Sequence, residues 1–120
     1  MMDTSALTSI SVAHVPIEIA QTAQDLAKRL APQRIILFGS HAYGIPREDS
    51  DIDLLLVMNN IPQRDIRYQL ARDMSRIAQL TKPLQLVFMR GDEFDETKDV
   101  IGGIAYPAHH WGKVLYAKNA

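Results

Sequence analysis

The chain contains no cysteine among its 120 residues. That excludes a disulfide framework and any thiolate metal centre. Charge of neither sign predominates: 13 Lys and Arg stand against 14 Asp and Glu, a net of −1. Bulk attraction to a phosphate backbone is therefore excluded as a main source of affinity. Aromatic residues make up only 7% of the chain, without the interleaving with basic residues that single-strand binders use for stacking. Direct nucleic-acid binding is not expected. Long apolar runs are also missing. The longest, Ile52 to Met58, is broken by Asp53 and falls far short of the ~20 residues of a membrane span. No basic stretch ahead of an apolar core opens the sequence, so no leader and no membrane association are read, and a cytoplasmic location is expected.

What is present is an ordinary globular composition, 47% hydrophobic. A chain of this length forms one domain and buries roughly two-thirds of its unfolded surface without staples. Residues 1–12, small and polar, are expected to be flexible. Pro16 reads as a first-turn helix residue. Ile19, Ala23, Leu26, Ala27 and Leu30 share one helical face, and Pro32 stops that helix near Ala31. Arg34 to Phe38 reads as a buried strand. Gly39-Ser40 breaks it, His41 to Tyr43 suits a short helical turn, and Gly44 to Ser50 is loop chemistry. Asp51 to Met58 reads as a second strand. Pro62 opens a long helix to about Thr81, with Ile66, Leu70, Met74, Ile77 and Leu80 as its apolar stripe. Arg64, Arg67, Arg72 and Arg76 fall on the other side and read as a solvated face, although Tyr68 among them leaves a partner surface open. Leu84 to Met89 reads as a third strand, Asp92 to Asp99 as an acidic loop or short helix, Ile104 to Trp111 as a short helix, and Val114 to Tyr116 as a last strand. The order places the chain in the α/β or α+β class, as a small mixed sheet with the helices packed mainly on one face.

One segment carries the chemistry, Leu37 to Val57. Glu48, Asp49, Asp51 and Asp53 lie within six residues. The first two sit in a loop, where solvent separates their charges. Asp51 and Asp53 open an otherwise apolar strand, where residues i and i+2 project from the same face. Two such carboxylates suit a hard divalent cation such as Mg²⁺, which takes oxygen ligands and keeps phosphates and waters. Gly39 permits a tight turn and close approach of a ligand. A helix starting at Ser40 would offer free N–H groups to an anion, and the Ser40 hydroxyl one bond more. Neither half is diagnostic alone. Together they are the equipment of metal-assisted phosphoryl chemistry.

At these residues the sequence resembles the nucleotidyltransferase signature of the DNA polymerase beta superfamily: Gly39-Ser40, ten residues, then Asp51-x-Asp53. Ala42, Gly44 and Ser50 to Leu54 also follow the pattern. The size, and the tail with Ala105-Tyr106-Pro107-Ala108 and Gly112 to Tyr116, are similar to the minimal nucleotidyltransferases (MNT) that are paired with all-α HEPN proteins in toxin–antitoxin systems. The resemblance implies a polymerase-beta-like nucleotidyltransferase fold over a single domain, residues 1–120. It implies that Gly39 and Ser40 bind the triphosphate, that Asp51 and Asp53 are catalytic and hold Mg²⁺ or Mn²⁺, and that the substrate is an NTP, with ATP the favoured one. It also points to a HEPN-type protein as a candidate partner, and leaves homo- and hetero-oligomers open.

The pattern departs at one place. The family carries a third carboxylate on the next strand, and here Gln85 holds that position. Glutamine offers a neutral oxygen and cannot act as a general base. Asp92 and Glu93 are the nearest later acids, several residues beyond the strand. Two readings follow. The chain transfers a nucleoside monophosphate, AMP from ATP, to an acceptor hydroxyl such as one on a partner protein. Alternatively, it is a catalytically attenuated antitoxin that neutralises a HEPN partner by contact. Two further features are weaker. Gly91 to Phe94 is similar to part of a cyclic-dinucleotide synthase signature, but position 90 is Arg. His109-His110 makes a poor chelate, because neighbouring side chains on a helix diverge by about 100°. Trp111 beside them reads as core or rim packing, or as a partner contact.

Overall fold

The computed structural model describes residues 15–118. The expectation of a flexible segment over residues 1–12 lies outside them. The elements are α1 (Ile17–Leu30), β1 (Arg34–Phe38), α2 (Ser40–Tyr43), β2 (Ile52–Val57), α3 (Arg64–Ile77), β3 (Leu84–Met89), α4 (Gly91–Thr97), α5 (Ala105–Trp111) and β4 (Lys113–Ala117). Pro16 stands one place before α1, and its carbonyl accepts from the Ile19 and Ala20 N–H groups. Ala31 ends the helix in the left-handed region with φ 48°, because the following Pro32 disfavours a further right-handed residue.

The four strands run in the order β3-β2-β1-β4. β1 is antiparallel to β2 and β4, while β2 and β3 are parallel and joined through α3. The sheet is therefore mixed. Alternation along β1 and β2 divides the core in two. Ile35, Leu37, Ile52, Leu54 and Leu56 meet Ile19, Ala23 and Leu26 of α1 and Met74 of α3 on one face. Ile36, Leu55 and Val57 meet Phe94 of α4 and Ala105 and Ala108 of α5 on the other. The two long helices lie together on one face, as expected, and the two short ones cover part of the second.

The expected helix from Pro62 to Thr81 is shorter at both ends. Gln79 adopts φ 54°, and the Leu80 N–H turns back to the Ser75 carbonyl, which seats Leu80 against the core. The apolar stripe is also rotated from its expected position. Ile66 and Ile77 are 53% and 50% exposed, and Arg67 points back to the sheet, its guanidinium 6.0 Å from the Phe88 ring.

Gly112 joins α5 to β4. Its φ of −74° is open to any residue, so conformation is not what requires glycine. A Cβ there would press on the Ala108 carbonyl, lie 2.7 Å from Ile36 Cγ2 and lie 2.9 Å from the Leu37 carbonyl oxygen. Gly112→Ala is therefore expected to destabilise the fold by about 1–3 kcal/mol through overpacking. A lower urea midpoint at unchanged slope would report it.

Candidate active site

The end of β1, the start of β2 and the start of β3 meet at one end of the sheet. Asp53 is the register partner of Phe38, next to Gly39, on one side and of Gln85 on the other. Parallel neighbours in register project to the same face, so Asp53 and Gln85 lie side by side. Asp51 stands one residue before β2, outside the strand expected from Asp51 to Met58, but its charge still reaches Asp53; it is exposed and Asp53 is half-buried.

Gly39 is required here for two reasons. Its φ of +80° and ψ of −160° suit glycine alone. A Cβ would also lie 2.5 Å from Asp53 Oδ2. The turn thus carries the Ser40 backbone close past the Asp53 carboxylate. Ser40 begins α2, where the first N–H groups have no carbonyl within the helix to receive them. His41 follows, and its Nε2–H donates to the Ser50 carbonyl at 3.2 Å, tying the turn to the loop that leads into Asp51.

Burial pushes the Asp53 carboxyl above the ordinary carboxylate range. The negative charge of Asp51 adds to this, and His41 offsets part of it. Such a pair is short of a positive charge. A divalent cation would relieve both the burial cost and the repulsion, so the donor set fits Mg²⁺ or Mn²⁺ with the third ligand position neutral.

Asp51 and Gln85 also line a cavity of about 440 Å³ with Arg64, Arg67, Tyr68 and Pro83. Sequence periodicity puts Arg64 and Arg67 on a solvated face; instead they and Tyr68 face the site, and Arg67 also donates to the Pro62 carbonyl at 3.2 Å. Arg72 and Arg76 remain exposed. The spacing Arg64, Arg67, Tyr68 is one helical face, and that was the available signal. His41 was missed as well; its place next to Ser40 was the clue. Asp92 and Glu93 stand beyond the far end of β3, since Gln85 to Met89 alone carries the chain ~13 Å away. Asp92 is held there by Arg90, with bonds of 3.2 and 3.1 Å, so neither acid supplies the missing carboxylate. Trp111 is 55% exposed and meets Tyr43 edge-on at 6.0 Å, which makes it rim packing beside α2.

A glycine-serine turn set against a carboxylate pair on a small mixed sheet is the arrangement of a nucleotidyltransferase-type fold. The polymerase beta nucleotidyltransferase family model matches residues 20–119, and the chain belongs to that family. A putative protein adenylyltransferase of Methanocaldococcus jannaschii is 52% identical over 40 residues, which cover 32% of this chain and 27% of that protein. The match thus spans about a quarter of the relative's length. A toxin–antitoxin crystal structure with AMP-PNP superposes with a TM-score of 0.60 at 22% identity, covering 82% of this chain and 73% of the other. A tri-AMPylated HEPN toxin of Shewanella oneidensis in complex with its MNT antitoxin gives 0.50 at 22% identity, covering 82% and 71%. At that identity the likeness is one of fold. Among the described residues, no helix is long and apolar enough to cross a membrane.

Proposed function

We propose that the chain transfers AMP from ATP to a hydroxyl of an all-α HEPN-type partner protein, at a rate limited by Gln85. The observation that carries this is the alignment of Gly39, Asp53 and Gln85 at one sheet end, with Asp51 beside them. The relatives named as an adenylyltransferase and as an AMPylated toxin with its antitoxin support the choice of AMP and of a protein acceptor. In this reading the Ser40 hydroxyl and the turn N–H groups hold the triphosphate, and Arg64 and Arg67 add positive charge in the adjoining cavity. Asp51 and Asp53 would hold Mg²⁺ or Mn²⁺, which supplies charge neutralisation at the phosphates. The acceptor oxygen attacks the α-phosphorus, a new P–O ester bond forms, the bond to the β-phosphate oxygen breaks, and pyrophosphate leaves. Gln85 cannot take the acceptor's proton, so it passes to solvent water.

The test is label transfer from α-³²P-ATP, with Mg²⁺, to a HEPN protein encoded beside this chain. A radioactive partner band that depends on Asp51 and Asp53 is expected. Absence of any adduct after prolonged incubation sinks the transfer reading. Gln85 itself favours a second reading, an antitoxin acting by contact alone. That reading requires the Asp51→Asn, Asp53→Asn double variant to protect cells from the partner as well as the parent chain does.

A further inference from the structure

His109 and His110 diverge as neighbours on a helix, yet the fold brings them to a common point with a third residue. Asp99 lies just beyond α4, and the two histidines lie in the last turn of α5. One ligand atom from each of the three lies within 4.8 Å of the others, and all three residues are exposed. His110 Nε2 stands 3.3 Å from the Asp99 carboxylate. Aromatic neighbours restrict both rings. Phe94, a buried residue, meets His109 edge-on at 6.0 Å and 86°, and Tyr106 packs on His110 at 4.3 Å and 41°.

Two imidazoles and one carboxylate form a borderline donor set, suited to zinc and its first-row neighbours and poorly suited to Mg²⁺. We propose that Asp99, His109 and His110 form a surface site for Zn²⁺, built from different residues than the Asp51–Asp53 pair and independent of the transfer reading. Tetrahedral zinc at Zn–N distances of about 2.0–2.1 Å needs donor atoms ~3.3 Å apart. His110 Nε2 and the Asp99 carboxylate already stand at that separation, so only the wider separations in the cluster, none above 4.8 Å, need to close, and water completes the coordination. Binding links the residue after α4 to the end of α5. It closes the intervening segment with Gly102-Gly103 into a loop, and a cation that binds the folded chain alone raises its thermal stability.

The experiment is calorimetric titration of the untagged full chain with zinc chloride alone, together with the absorption spectrum of the Co²⁺-loaded chain. Expected are one zinc equivalent bound, a cobalt spectrum of nitrogen and oxygen ligation, and a higher melting temperature with zinc. All three signals should be lost in the His109→Ala, His110→Ala double variant and kept in Asp51→Asn, Asp53→Asn. The milder His109→Gln and His110→Gln single variants each weaken binding, which guards against misfolding of the double variant. The proposal is overturned if the parent chain binds no zinc, if the histidine double variant binds as the parent does, or if the Asp51–Asp53 double variant abolishes binding.

Discussion

Replacing Gln85 with aspartate is expected to raise the rate of AMP transfer roughly 10²- to 10⁴-fold, the usual contribution of a positioned general base. Gln85 is the register neighbour of Asp53, and strands lie about 4.8 Å apart, so a carboxylate at position 85 completes a cluster of three. It would take the acceptor's proton and add an anionic ligand to the cation. Initial rates of label transfer, compared between the parent chain and Gln85→Asp at saturating ATP and Mg²⁺, give the answer. Equal rates would mean that the neutral side chain at this position is not what limits turnover.

The second large effect falls on Asp53. Asp53→Asn is expected to lower transfer by about 10²-fold or more, because it removes a carboxylate from the cation-binding pair. The same change should stabilise the metal-free protein near pH 7. The Asp53 carboxyl is held above its ordinary range, chiefly by burial and then by Asp51. The native state therefore holds that proton more tightly than the unfolded chain does. This stabilisation is fully present below the ordinary aspartate range and is lost as pH rises through the raised native value. Asparagine has no proton to lose. Melting curves in EDTA should show the variant above the parent chain at pH 7, with the gap shrinking as pH falls. Added Mg²⁺ should close the gap at pH 7 by raising the parent alone. A parent chain already more stable than the variant in EDTA at pH 7 would contradict the assigned strain.

The sequence discloses much of this fold where local chemistry is decisive. Arg34 to Phe38 is a run of apolar and β-branched residues between Pro32 and Gly39, and no other element fits there. The spacing of Asp51 and Asp53 at the head of an apolar strand locates the candidate site for the same reason. α3 was less legible because its partner is an edge strand. Only Met74 of that helix is fully buried, so hydrophobic periodicity fixes its inward face poorly. That is why Ile66 and Ile77 end up exposed while Arg67 turns to the sheet. The cavity formed by Arg64, Arg67, Tyr68, Asp51 and Gln85 depends on strand order β3-β2-β1-β4, which no local pattern encodes. The Asp99, His109 and His110 cluster was hidden likewise, because it needs the path of the chain between α4 and α5.

Gln85 sits exposed on an edge strand, and that placement bears on the history of the chain. Exchanging one neutral polar side chain for another on such a surface changes stability by ~0.5 kcal/mol or less, but a carboxylate at position 85 would stand beside Asp53 and add like-charge repulsion to a pair already short of positive charge. Without a bound cation, folding therefore favours the neutral side chain at this position. A busy catalyst and a quiescent binder are near neighbours in sequence space, separated by one substitution whose cost a bound cation offsets. What holds glutamine in place, or lets aspartate return, must be the consequence of turnover for the cell.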